Sequence, residues 1–318
     1  MKPEQRIRLT VAEGGIKSSN RLPGVLECRS EFQVRVLAGA PSFCRGLMIQ
    51  VEALTKLYGD LVAVNELSFA VQPGEVMGLV GPNGAGKTTT LRSLAGIIPP
   101  TRGTVRICGH DLATEPIPAK RQLAFFADEP RLFDYLTVQQ HLAFTARIYQ
   151  VADYETVAAR LLEELELAPK KNALPGELSR GMKQKLVIAC GLLHAPKVIF
   201  FDEPLTGLDP LGIRRMKDSI LQRARAGAAI IISSHLLHLV EEICSHILIL
   251  KNGQKVIHGT LEEITRRFSE QPTEANLEEV FFKATGDGAL VTPPPLIRAG
   301  TQITNAEPGT NPNEQNPK

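Results

Sequence analysis

Val76-Met77-Gly78-Leu79-Val80 runs straight into Gly81-Pro82-Asn83-Gly84-Ala85-Gly86-Lys87-Thr88, and this stretch decides the fold. Five residues with no charge suit a short strand buried in a sheet. The glycines that follow let backbone N–H groups turn inward without Cβ clashes, which a polyphosphate requires of a binding loop. The spacing G-x-x-x-x-G-K-T is that of a phosphate-binding loop, and the helix after it directs its positive end at the phosphates. In such a loop Lys87 reaches the β- and γ-phosphates and the Thr88 hydroxyl binds Mg²⁺. The helix is expected to run to about Ile97 and to stop before Pro99-Pro100.

Outward from this loop, strand and helix signals alternate. Val198-Ile199-Phe200-Phe201 and Ala229-Ile230-Ile231-Ile232 are short apolar runs suited to a parallel sheet covered on both faces. The first ends in Asp202-Glu203, which delivers two carboxylates to the C-terminal edge of that sheet, where ligands of open α/β folds bind. Asp202 there would hold Mg²⁺ through its water shell, and Glu203 would act as general base. Asn252-Gly253 between Ile247–Lys251 and Gln254–His258 is a hairpin signal. Residues from about Val138 to Leu193 read as mostly helical, and Ile49, Val51 and Leu54 open an extended, partly alternating segment.

Leu178-Ser179-Arg180-Gly181-Met182 precedes an amphipathic helix carrying Leu186, Ala189 and Leu193 on one stripe. With this element the order of motifs over about residues 49–284 resembles the ABC transporter ATPase family. The resemblance implies an α/β fold: a P-loop NTPase core with a mainly parallel sheet, an antiparallel β subdomain and a helical subdomain at about 129–185. It implies ATP and Mg²⁺ as cofactors, with Gly81, Pro82, Asn83, Gly84, Ala85, Gly86, Lys87, Thr88 and Thr89 at the phosphates. In this family one subunit's signature closes over the nucleotide of another, so Ser179 and Gly181 would serve in trans. Gly207-Leu208-Asp209-Pro210 resembles the loop that communicates across the dimer, with Asp209 at the nucleotide. Ser234-His235 resembles the switch histidine, which makes His235 catalytic beside Glu203 and Lys87. Tyr58 stands where the family stacks an aromatic on adenine, although an ordinary loop tyrosine is the alternative.

Arg180 and Met182 depart from the commoner LSGGQ form, and LSRGM followed by Lys183-Gln184 is similar to ATPases of ABC-2-type exporters. A second departure is Asp128, in Phe125-Phe126-Ala127-Asp128-Glu129-Pro130, where the family usually has a coupling-loop Gln. Asp128 is expected to meet the metal through a water. Phe126, Leu132 and Phe133 either line the groove for a membrane subunit or belong to the core.

The bulk composition sets limits on the alternatives. Lys plus Arg is 36 and Asp plus Glu is 34, so no charge excess calls for a nucleic-acid partner. The five cysteines form no CxxC pair and read as reduced thiols. No apolar run approaches the ~20 residues that span a bilayer. The expectation is therefore a cytoplasmic subunit, peripheral on the inner face of the membrane through a permease, in a homodimer or heterodimer of ATPase domains. Residues 1–47 scatter Gly, Ser and Arg without period and are expected to be a disordered extension before a true start at Met48. A helical extension is expected at 269–285, and 286–318 forms a Pro/Asn-rich tail that cannot bury a core. Two rivals remain: a soluble ABC ATPase of translation or DNA repair, and a regulator that does not hydrolyse. One cassette, with about fifty residues between Asp128 and Leu178 and no sustained heptads, disfavours the first. Lys87, Asp202, Glu203 and His235 disfavour the second.

Overall fold

The computed structural model describes residues 46–204, 209–268 and 277–286. The expected N-terminal extension up to residue 45, residues 269–276, the tail from 287, and Gly207-Leu208 lie outside the described residues. Along the chain the strands are β1 (Ile49–Tyr58), β2 (Leu61–Val71), β3 (Val76–Val80), β4 (Arg102–Ile107), β5 (His110–Asp111), β6 (Leu123–Phe126), β7 (Val198–Asp202), β8 (Ala229–Ser233), β9 (His246–Lys251) and β10 (Gln254–Thr260). The helices are α1 (Lys87–Leu94), α2 (Pro116–Arg121), α3 (Val138–Tyr149), α4 (Tyr154–Glu164), α5 (Arg180–Leu192), α6 (Pro210–Arg225), α7 (Leu237–Ile243), α8 (Leu261–Phe268) and α9 (Leu277–Thr285).

Six strands form one sheet in the order β10-β9-β3-β8-β7-β6, parallel except for the β9–β10 hairpin. That hairpin turns at Asn252-Gly253, both at positive φ, as the Asn-Gly signal requires. The other four strands form an antiparallel sheet, β2-β1-β4-β5. All residues of β3, β7 and β8 are buried because successive side chains feed different cores. Phe200 and Ile231 enter the core between the two sheets, with Leu54, Leu67 and Leu91. Phe201 and Ile232 enter the core beneath the helices, with Leu142, Leu186 and Ile220. The continuous apolar runs are thus two alternating patterns superimposed.

Helix α1 stops three residues before the expected Ile97. Gly96 at φ +63° supplies the left-handed residue that ends a helix, before the proline pair is reached. Helix α3 starts with a reciprocal capping box between Thr137 and Gln140. The expected stripe on α5 is real: Leu186, Ala189 and Leu193 are buried. Gly191 on the same helix lets it lie against β6, where an added Cβ would come within 2.3 Å of the Phe126 ring. Phe126 stacks on Phe201 at 4.8 Å and is 1% exposed, so it belongs to the core and not to a surface groove. Phe133, by contrast, is exposed, and Leu132 is half-buried.

Candidate functional site

Because β3, β7 and β8 run parallel, their C-terminal ends arrive together, with Leu79 and Asp202 both in register with Ser233. The loop after β3, Asp202-Glu203 at the end of β7 and His235 after β8 therefore share one edge of the sheet. A cavity of about 590 Å³ opens there. Asn83, Gly84, Ala85, Gly86, Lys87, Thr88 and Thr89 line it, together with Tyr58, Asp202 and Glu203. Sequence reasoning missed Leu61, Val62 and Ala63 on the same wall, because they arrive from β2 without any motif, and it read Asn252 only as a hairpin turn.

The Lys87 ammonium donates to the Gly81 carbonyl at 2.7 Å and to the Pro82 carbonyl at 3.2 Å. Burial pushes its pKa down, while Glu203 and Asp202 pull it back up. A phosphate entering the cavity offers this half-buried cation a better partner than two neutral carbonyls. Gly81 itself packs against the Leu250 carbonyl, which an added Cβ would meet at 2.4 Å.

Thr88 donates its hydroxyl to Asp202 Oδ1 at 3.3 Å, and Ser233 donates to the same oxygen at 2.7 Å. A hydroxyl and a carboxylate converging at the phosphate loop are hard oxygen donors of the kind Mg²⁺ takes. These residues fit the expected metal. Ser233, wholly buried, was not singled out from sequence, because Ser233-Ser234 end the isoleucine run together and nothing local says which hydroxyl turns towards Asp202.

Glu203 has φ +52°, a left-handed conformation costly for a side chain with a Cβ. Its backbone N–H is held by both the carbonyl and the hydroxyl of Ser233, each at 3.2 Å. Glu203 Oε2 lies 2.8 Å from His235 Nδ1. Protonated at Nδ1, the imidazole donates to Oε2 and leaves the other carboxylate oxygen free for a water.

Ser179, Gly181 and Asp209 do not line this cavity. Ser179 caps α5, its hydroxyl accepting from the Met182 N–H at 3.2 Å, and Gly181 lies in the first turn. Asp209 caps α6 by accepting from the Gly212 N–H at 3.2 Å. Asp128 borders a neighbouring cavity of about 700 Å³ that also touches Thr88 and Asp202. Its carboxylate faces Arg180 at 3.7 Å.

Comparison with known proteins agrees with this geometry. Residues 64–206 match the family described as ABC transporter. The chain is 33% identical over 245 residues to the ABC-type transporter ATP-binding protein EcsA of Bacillus subtilis, covering 76% of this chain and 98% of that one. The chain belongs to the ABC transporter ATP-binding proteins. Another relative is the Nod factor export ATP-binding protein I of Burkholderia thailandensis, 37% identical over 213 residues, or 66% of this chain and 70% of the other. A solved ATP-binding subunit of an ABC transporter superposes with a TM-score of 0.71 at 35% identity, covering 74% of this chain and 99% of that structure. As an ABC ATP-binding protein the chain binds ATP and hydrolyses it to drive transport, with a membrane permease as partner. No helix among the described residues is long and apolar enough to cross a membrane.

The described cysteines take no part in the site. Cys244 is buried, burial raises the Cys108 thiol, and Cys190 is pushed up to about 11. Among the described residues no group of His, Cys, Asp and Glu forms a metal cluster.

Proposed function

We propose that this chain powers an ABC-2-type exporter by MgATP-driven closure of two ATP-binding subunits, identical or paralogous. The observation that carries the reading is the Glu203–His235 pair, 2.8 Å apart and fixed on strand ends beside the phosphate loop. Lys87 exchanges its two carbonyl partners for the β- and γ-phosphates. Thr88 and Asp202 hold the Mg²⁺, which neutralises phosphate charge when bound. Tyr58, exposed at the cavity mouth, offers its ring face to adenine. Glu203 accepts a proton from the attacking water as the oxygen approaches the γ-phosphorus, and His235 keeps the carboxylate turned towards that water. The N-terminus of α5, with Ser179 and Gly181, stands away from the cavity of its own chain, as a part used on a partner's nucleotide must.

The exporter reading is supported by the LSRGM signature and by the acid at position 128. The name of the Nod factor export relative describes an exporter for that protein. For the permease, the surface on offer is aromatic: Phe133, Tyr135 and Phe144 are exposed, and Phe133 meets Phe144 edge-on at 5.3 Å. An uncoupled ABC ATPase of translation or DNA repair is the competing assignment. Turnover measured with and without the membrane partner separates the two.

Glu203→Gln tests the chemistry. It should bind MgATP, dimerise in its presence and turn it over at least ~10²-fold more slowly, the scale of a lost general base. Full turnover in this variant removes Glu203 from that role.

A further inference from the structure

Two of the three positions at which the sequence departs from its family, Arg180 and Asp128, face each other. Arg180 Nη2 lies 3.7 Å from Asp128 Oδ1, an ion pair slightly too long for a hydrogen bond, with both side chains about half exposed. One helical turn further along α5, Gln184 is 2% exposed and points its amide at the Ala127 carbonyl, 3.5 Å away. The Gln184 carbonyl oxygen is buried with no hydrogen-bond partner. Residues four apart share a helix face. The first two turns of the signature helix therefore reach two successive residues of the loop after β6. That loop borders the cavity shared with Thr88 and Asp202. Arg92 and Arg131 line the same cavity, but among the described residues Arg180 is the cation paired with Asp128.

We propose that Arg180 is a positioning residue that competes with the metal side of the nucleotide site for Asp128. The proposal rests on the assignment of Thr88 and Asp202 to Mg²⁺. Without a divalent cation, Asp202 and Glu203 repel the Asp128 carboxylate, and Arg180 gives it a partner. With a divalent cation beside Asp202 the sign of that field reverses, and Asp128 is drawn towards the cation's water shell. Arg180 then loses its partner, and the first turn of α5, which carries Ser179 and Gly181, is released from the loop. Metal and nucleotide in one chain thereby free the signature it presents to a second. Gln184, whose buried amide grips the loop backbone rather than the carboxylate, keeps helix and loop in register during the exchange.

The test compares affinities for the β,γ-imido analogue of ATP, which resists hydrolysis, measured on the full chain by calorimetry. Each variant is titrated in saturating Mg²⁺ and again in EDTA, and the ratio of the two affinities is the readout. An exposed ion pair is worth little, so Arg180→Gln should raise this ratio by about 2- to 5-fold. Arg180→Lys, which keeps the charge, should stay near the parent value. In an Asp128→Asn background, Arg180→Gln should change nothing, because the competition acts through that carboxylate. A ratio unchanged or lowered by Arg180→Gln overturns the proposal. So does an equal rise in the Asp128→Asn background, since Arg180 would then act through its long-range field alone. If the parent chain shows no gain in affinity from Mg²⁺ at all, the metal assignment to Thr88 and Asp202 fails first.

Discussion

Replacing Gly86 with alanine probes how tightly the phosphate loop is built into the fold. Gly86 has φ +101°, where an alanine pays about 1–3 kcal/mol of backbone strain. Its new Cβ would lie 2.5 Å from the Ala63 carbonyl oxygen, a backbone atom with no side chain to swing aside. Gly253 crowds the same oxygen, which a Cβ on that residue would meet at 2.7 Å. Overpacking of this kind adds about 1–3 kcal/mol. Gly84 provides the internal comparison: φ is +79°, but nothing lies within 4 Å of the added Cβ, so Gly84→Ala pays strain alone. In ligand-free protein, Gly86→Ala should therefore unfold below Gly84→Ala by the overpacking term. At roughly 2–4 °C per kcal/mol for a domain of this size, the gap is about 2–12 °C. Differential scanning calorimetry of the two variants and the parent reads it directly. Equal melting temperatures for the two variants would refute the argument, because they would show that the Ala63 backbone yields without cost.

Tyr58→Ala should weaken ATP binding by about 1–3 kcal/mol, roughly 5- to 150-fold in Kd, with turnover at saturation changed less. Lys56, whose ammonium lies 5.2 Å from the Tyr58 ring, also loses its aromatic neighbour, and unchanged ATP titrations would return Tyr58 to an ordinary loop residue. His194 stacks on Tyr149 at 3.8 Å and offers Nε2 to the Leu123 carbonyl at 3.3 Å; burial lowers its pKa from 6.5, against the opposing effect of that hydrogen bond. The unfolded chain then takes up the proton more readily than the folded one, so this histidine's share of stability is intact above about pH 6.5 and is lost as pH falls towards its folded pKa. Urea unfolding at pH 7.5 and 5.5 should show His194→Phe, which keeps the stack, losing less stability on acidification than the parent. An equal loss in both proteins would exclude His194 as a source of the dependence.

Much of the site was legible because its parts are local. A phosphate loop needs glycines, a lysine and a hydroxyl at fixed spacing, and a buried strand followed by two acids announces carboxylates at a sheet edge. The hairpin at Asn252-Gly253 and the stripe on α5 were legible for the same reason, since backbone geometry within a few residues sets them. The α1 terminus misled because two stop signals lie close together, and the left-handed Gly96 acts before Pro99-Pro100. Phe126 was ambiguous because an apolar residue next to a loop reads the same in a core as in a groove. Only packing against Phe201 and Gly191 separates the two. Tertiary structure alone decided that Ser233 braces Asp202 and Glu203, that Ala63 walls the phosphate loop, and that Arg180 stands opposite Asp128. Each of these joins residues far apart in the chain, brought within a few ångströms by the order of strands in a sheet and the seating of a helix on it. No local propensity encodes such a meeting, because it depends on how the side chains between those elements fill the two cores.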